Sequence, residues 1–148
     1  MILAIDPGLV TGVALWYLDE SGAEVFWSGE VATRFETYDY LAEALPAFRP
    51  EVVCESYTIT QRTAQLSQQY DALYLIGAAE ALCHLHGLTF SMKGPAIKKF
   101  STDAKLKAMG WWNPTKGGHR NDAARHLLYR LSVTGKDPSI IQRLATVV

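Results

Sequence analysis

Four side chains able to hold a divalent cation stand in three short segments: Asp6, Glu55, His119 and Asp122. Asp6 closes an apolar, strand-like run, and Pro7 and Gly8 then turn the chain sharply. A carboxylate at the end of a central strand projects into the cleft where open α/β sheets place ligands. Asp-Pro-Gly is also a good turn in its own right, so this motif alone leaves a structural role open. Glu55 ends the apolar run Val52-Val53-Cys54. An acid there is costly unless it is paired, solvated at the rim or bound to metal. His119 and Asp122 lie three residues apart, hence on one face of any helix starting near His119. Helix capping in the field of the macrodipole is the alternative for that pair. Taken together, three acids and a histidine can converge on one cleft. Such a set suits a hydrolase that uses two divalent ions about 3.5–4 Å apart on a phosphodiester.

The elements that must position these residues are legible from periodicity. Ile2–Ile5, Gly12–Leu18 and Ala23–Val31 read as strands, with 19–22 as a hairpin linker. Phe35, Tyr38, Leu41, Ala42 and Leu45 recur at helical spacing, and Pro46 and Pro50 are expected to end that helix. Glu51–Ser56 is a fourth strand. A long helix is expected from about Arg62 to His86, closed by Gly87, and then a fifth strand over Leu88–Met92. In that helix Leu66, Tyr70, Leu73 and Gly77 form one stripe, while Leu75, Ala78, Ala79 and Leu82 widen it. A helix apolar on more than one side needs cover on more than one side. Short helices broken around Gly110–Gly118 precede a longer one from about His119 to Ser132. The order β-β-β-α-β-α-β-α predicts an α/β fold with a mixed five-stranded sheet, a three-strand antiparallel meander followed by parallel strands, and helices on both faces.

The chain has 148 residues, which fits one domain spanning 1–148. No stretch approaches the ~20 apolar residues of a membrane span, and no basic leader precedes the first strand, so a cytoplasmic protein with no membrane partner is expected. Cys54 and Cys83 are far apart and read as small buried side chains. The net charge of −1 conceals a split: residues 1–60 carry ten acids and two bases, residues 93–130 nine bases and two acids. That asymmetry points to a basic face for a polyanion, with a solvated helical surface as the alternative.

The Asp6-Pro7-Gly8-x-x-x-Gly12 start, the Val52-x-x-Glu55 strand and the late His119-x-x-Asp122 helix together resemble the RuvC family of Holliday-junction resolvases, across nearly the whole chain and in the same order. The resemblance implies an RNase H-like fold and a divalent-metal-dependent endodeoxyribonuclease that resolves four-way DNA junctions. It implies Asp6, Glu55, His119 and Asp122 as catalytic metal ligands for two Mg²⁺ or Mn²⁺ ions. Many relatives carry Asp where this chain has His119, although His also occurs there; imidazole suits Mg²⁺ poorly, so a shift of preference toward Mn²⁺ is expected. A homodimer through the helix around 62–86 is also implied, matching the surplus apolar face. Lys98, Lys99 and Lys105 stand where the family carries DNA-binding lysines. Lys107, Lys116 and Arg120 extend that basic approach to the site. Tyr57 is a candidate to stack on an unpaired base, or else a rim aromatic. Trp111 and Trp112 fit core packing or base stacking equally, and His84, His86 and His126 are read as surface or packing residues. Two other readings share these features: a nuclease of the same fold acting on flaps or RNA–DNA hybrids, and a non-catalytic DNA-binding module. An actin-like phosphate-binding domain is disfavoured, since a second glycine-rich phosphate loop and room for a second lobe are both lacking.

Overall fold

In the computed structural model, residues 1–59, 69–114 and 118–147 are described. The first three strands form the expected antiparallel meander: β1 (Ile2–Asp6), β2 (Thr11–Leu18) and β3 (Glu24–Val31). After α1 (Arg34–Phe48), β4 (Glu51–Glu55) returns to lie parallel to β1. Helix α2 (Gln69–Leu85) leads to β5 (Phe90–Lys93), parallel to β4, which completes a sheet of order β3-β2-β1-β4-β5. A 3-10 turn (Pro95–Lys99), α3 (Asp103–Met109), α4 (His119–Thr134) and α5 (Pro138–Ala145) follow.

Side chains alternate across the central strands, so β1 feeds two cores. Ile2 and Ala4 join Ala14, Trp16 and Val53 beneath Leu106, Ala123, Ala124, Leu127, Leu128, Leu131 and Ile140 of α3, α4 and α5. Leu3 and Ile5 join Val52 and Cys54 beneath Leu41, Leu45, Ala79 and Cys83 of α1 and α2. Helices therefore cover both faces, and both cysteines are buried and unbridged. Burial pushes the thiols of Cys54 and Cys83 upward, which keeps them protonated and inert.

Four local expectations are corrected. Pro46 lies inside α1 rather than ending it; the helix runs two residues further and stops at Arg49, whose φ of 47° is left-handed. Proline in a last turn forfeits one hydrogen bond, which tertiary packing of Leu41 and Leu45 offsets. In α2 the fully inward stripe is Ala72, Leu75, Ala79 and Cys83, whereas Tyr70 and Gly77 face solvent. An almost all-apolar helix gives periodicity little to choose between faces. The part of the expected helix over 62–68, including Leu66, lies outside the described residues. The fifth strand starts two residues later than expected, at Phe90. Helix α5 was not foreseen, although Asp137 caps it by accepting from the Ser139 N–H and Pro138 occupies its first turn.

The two tryptophans separate in role. Trp111 is buried and stacks on Phe26 with ring centroids 4.5 Å apart, which settles it as core packing. Trp112 is half-buried at the rim, with the Lys107 ammonium 5.3 Å and the Arg125 guanidinium 5.9 Å from its ring centre. Asn121, in the first turn of α4, is buried and locks this segment: it donates to the Asn113 carbonyl at 2.7 Å and accepts from the Asn113 N–H at 3.0 Å. No helix among the described residues is long and apolar enough to cross a membrane.

Candidate functional site

Asp6 and Glu55 end two adjacent parallel strands, one position beyond the paired residues Ile5 and Cys54. Both therefore reach the same edge of the sheet, at the carboxyl ends where open α/β sheets bind ligands. Between β1 and β2 the turn is braced by buried Thr11, whose hydroxyl donates to the Gly8 carbonyl at 3.3 Å. Helix α4 starts directly above. A Cβ on Gly12 would lie 1.9 Å from the His119 carbonyl oxygen, so only glycine lets the helix start this close to β2. Ala123 and Ala124, both fully buried, keep the next turn equally near the sheet. Gly118 enters the helix with a left-handed φ of 74°.

This packing brings the four candidate ligands to one cleft. His119 Nδ1 lies 2.9 Å from Asp6 Oδ2. Lys98, from the 3-10 turn, donates to Asp122 Oδ2 at 2.8 Å and lies 3.3 Å from Glu55 Oε2. Arg125 holds the other Asp122 oxygen and also pairs with Asp103. His126, one helical turn beyond Asp122, places Nε2 3.0 Å from Glu55 Oε2. A cleft of about 180 Å³ opens beside Asp6, Pro7, Glu55, Ser56 and Tyr57.

The electrostatics follow from crowding. Burial pushes the Asp6 carboxyl up to about 6; the His119 hydrogen bond opposes this, and the neighbouring Glu55 and Asp122 add to it. Burial would raise Glu55 as well, but its hydrogen bonds with His126 and Asp6 and the charge of Lys98 outweigh it and hold Glu55 well below the usual carboxylate range. His119 is shifted up, chiefly by its bond to Asp6. Burial alone would lower Lys98, yet Asp122 and Glu55 raise it, so it stays a cation. In kind, carboxylates and imidazole suit a hard or borderline divalent ion. The excess negative charge, already countered by an ammonium lodged between two of the acids, fits such an ion too. No three histidine, cysteine or acid side chains among the described residues converge tightly enough to ligate one ion as they stand. Protein cations hold Asp122, and His119 holds Asp6, so ligation requires these side chains to exchange partners.

The basic residues divide. Lys98 reaches into the acid cluster while its side chain stays partly exposed. Lys99 and Lys107 are exposed, and Lys105 packs its ammonium 3.9 Å from the Phe100 ring centre. Arg120 is tied to Glu30, whose carboxylate also accepts from the Arg120 backbone N–H at 3.3 Å. Tyr57 lines the cleft, and Lys116 lies outside the described residues. His126, expected at the surface or in packing, is fully buried and also bonded to Glu55. The signal was present in the spacing, since 119, 122 and 126 share one helical face.

Neither a protein-family profile nor a curated protein sequence matches the chain. Solved structures do. The RuvC of T. thermophilus in complex with a Holliday junction substrate superposes with a TM-score of 0.68 at 18% identity, covering 90% of this chain and 96% of that one. A second Thermus thermophilus RuvC structure gives 0.65 at 19% identity over the same shares. The fold is RuvC-like. The expected RNase H-like mixed sheet, an antiparallel meander followed by parallel strands, is present.

Because Asp6 has a folded-state pKa near 6 against an unfolded value of about 4, its ionisation favours the unfolded chain. The destabilisation grows from about pH 4 to about pH 6 and stays constant above. In chelator, Asp6→Asn should therefore stabilise the protein by roughly 1–3 kcal/mol at neutral pH, and by almost nothing near pH 4. Denaturant unfolding at the two pH values checks this, and a variant less stable than wild type at neutral pH contradicts it.

Proposed function

We propose that the chain is a divalent-metal-dependent endodeoxyribonuclease that cuts branched DNA, with four-way junctions as the preferred substrate. The observation that carries this reading is the convergence of Asp6, Glu55, His119 and Asp122 at the carboxyl ends of β1 and β4 and the start of α4, in a RuvC-like fold. Asp6, Glu55, His119 and Asp122 would hold two Mg²⁺ or Mn²⁺ ions. Such ions supply the Lewis acidity that activates water for attack on phosphorus and stabilises the departing 3′ oxygen. The protein's own part is to orient and to bind. The two strand ends fix the acids, and Lys98, Lys99, Lys105, Lys107, Lys116 and Arg120 would supply cations for backbone phosphates. Tyr57 lines the cleft beside Glu55, within reach of a base splayed from a branch point.

The reading includes a homodimer. Tyr70, Tyr74 and Leu85 of α2 and Phe35 of α1 are exposed on the outer face of the helical layer. The Arg34 guanidinium lies 4.9 Å from both the Phe35 and Tyr74 ring centres, and it pairs with Asp71 at 3.0 Å. A second copy covering this face would place two sites for symmetric nicking of opposed strands. Sedimentation at micromolar concentration should give the mass of two chains; a monomer counts against the dimer.

Cleavage of a synthetic four-way junction, a fork, a flap and an RNA–DNA hybrid, with and without Mg²⁺ or Mn²⁺, tests the function. Metal-dependent nicking is expected fastest on the junction, with Mn²⁺ ahead of Mg²⁺ because of the His119 imidazole. Asp6→Asn should lower the rate by at least about 100-fold, on the scale of losing a metal ligand or a transition-state donor. Retained cutting by Asp6→Asn sinks the mechanism. Faster cutting of the flap or hybrid moves the substrate class, and equal rates in the two metals remove the Mn²⁺ preference.

A further inference from the structure

His126 occupies a position that packing alone would give to an apolar residue. Its neighbours on α4 are Ala123, Ala124, Leu127 and Leu128, all fully buried, and His126 itself has no exposed surface. An imidazole in that setting carries a desolvation cost that an aliphatic side chain would not. The cost is offset on one side only. Nε2 lies 3.0 Å from Glu55 Oε2, while Nδ1 is buried with no hydrogen-bond partner among the described residues.

The unequal environment of the two nitrogens assigns the proton. A carboxylate oxygen accepts, so Nε2 carries a hydrogen toward Glu55. The bond comes from beneath the site, from the core face of α4, whereas the Lys98 ammonium reaches the same Glu55 oxygen at 3.3 Å from the 3-10 turn. Lys98 is mobile in principle, since a partly exposed side chain can leave for a phosphate. The buried ring cannot leave. The terminal torsion of a glutamate is broad and roughly two-fold, so a free carboxylate samples many orientations. A fixed donor on Oε2 selects one of them and thereby fixes where Oε1 is presented.

We propose that His126 is a positioning residue, whose Nε2–H fixes the orientation of the Glu55 carboxylate for divalent-cation binding. This rests on the reading of Asp6, Glu55, His119 and Asp122 as a metal site and adds a fifth residue that touches no cation. Metal-binding carboxylates are commonly held by outer hydrogen-bond donors, and loss of such a donor costs about 10- to 100-fold in metal affinity.

Two measurements on the full chain test this. Free Mn²⁺, followed by its electron paramagnetic resonance signal, gives the affinity of wild type, His126→Leu and His126→Gln, each first shown to be folded by circular dichroism. Leucine fills the site without a donor, and the glutamine amide restores a donor near the position of Nε2. The expected result is affinity lowered by about tenfold or more in His126→Leu and largely recovered in His126→Gln. Equal affinity in wild type and His126→Leu overturns the proposal, as does a His126→Gln variant as weak as His126→Leu. Nitrogen-15 spectra of the imidazole, recorded without metal, should show the Nε2–H tautomer. An Nδ1–H tautomer overturns the role of His126 while leaving the metal site standing. A wild-type protein that binds no Mn²⁺ overturns the metal reading and the proposal with it.

Discussion

Two carboxylates at the ends of neighbouring parallel strands, Asp6 on β1 and Glu55 on β4, cannot both ionise cheaply. Neighbouring strands lie about 5 Å apart, and at an effective dielectric of about 20 two like charges at that distance repel by about 3 kcal/mol. Asp122 adds a third acid to the same cleft. The surrounding structure is arranged around this repulsion. His119 bonds Asp6, His126 bonds Glu55, Lys98 bridges Glu55 and Asp122, and Arg125 takes the remaining Asp122 oxygen. Even so, Asp6 remains above the normal carboxylate range. The cations that hold the cluster thus compensate its carboxylates only in part.

Close packing makes the crowding possible. Helix α4 crosses β2 and β1 near enough that a single methyl at Gly12 would collide with its first carbonyl, and Ala123 and Ala124 continue the close approach. Towards its far end Arg130, and just beyond it Lys136, pair with Glu51 at the start of β4, at the opposite end of the strands. The helix is thus held at both ends against the strands whose acids it faces. Its inward residues serve two purposes at once: Leu127, Leu128 and Leu131 build the core, while His119, Asp122 and His126 share a face that reaches the cleft.

Much of this is legible in the amino-acid sequence. The alternation of strand and helix periods is local, and it gave the mixed sheet with helices on both faces. Asp6 and Glu55 stood out because acids at the ends of apolar strands are uncommon, and His119 with Asp122 because three residues make nearly one turn. What failed to show was tertiary. Lys98 looked like one lysine of a basic run, and only the path from β5 into the 3-10 turn brings it between Glu55 and Asp122. His126 looked like packing because a lone histidine amid leucines and alanines usually is. The inward face of α2 was misjudged between Tyr70 and Ala72 because both stripes are apolar. The extension of α1 past Pro46 depends on contacts of Leu41 and Leu45 with the sheet, which no local propensity encodes.

A cation held by Asp6 would raise the thermal midpoint of unfolding, which can be measured with and without Mn²⁺. A ligand at about 100 times its dissociation constant stabilises the folded state by about 2.7 kcal/mol, which a small domain registers as a shift of several degrees. A saturable rise in the midpoint is expected for wild type and little or none for Asp6→Asn. An identical rise in both proteins, or no rise in wild type, would contradict it.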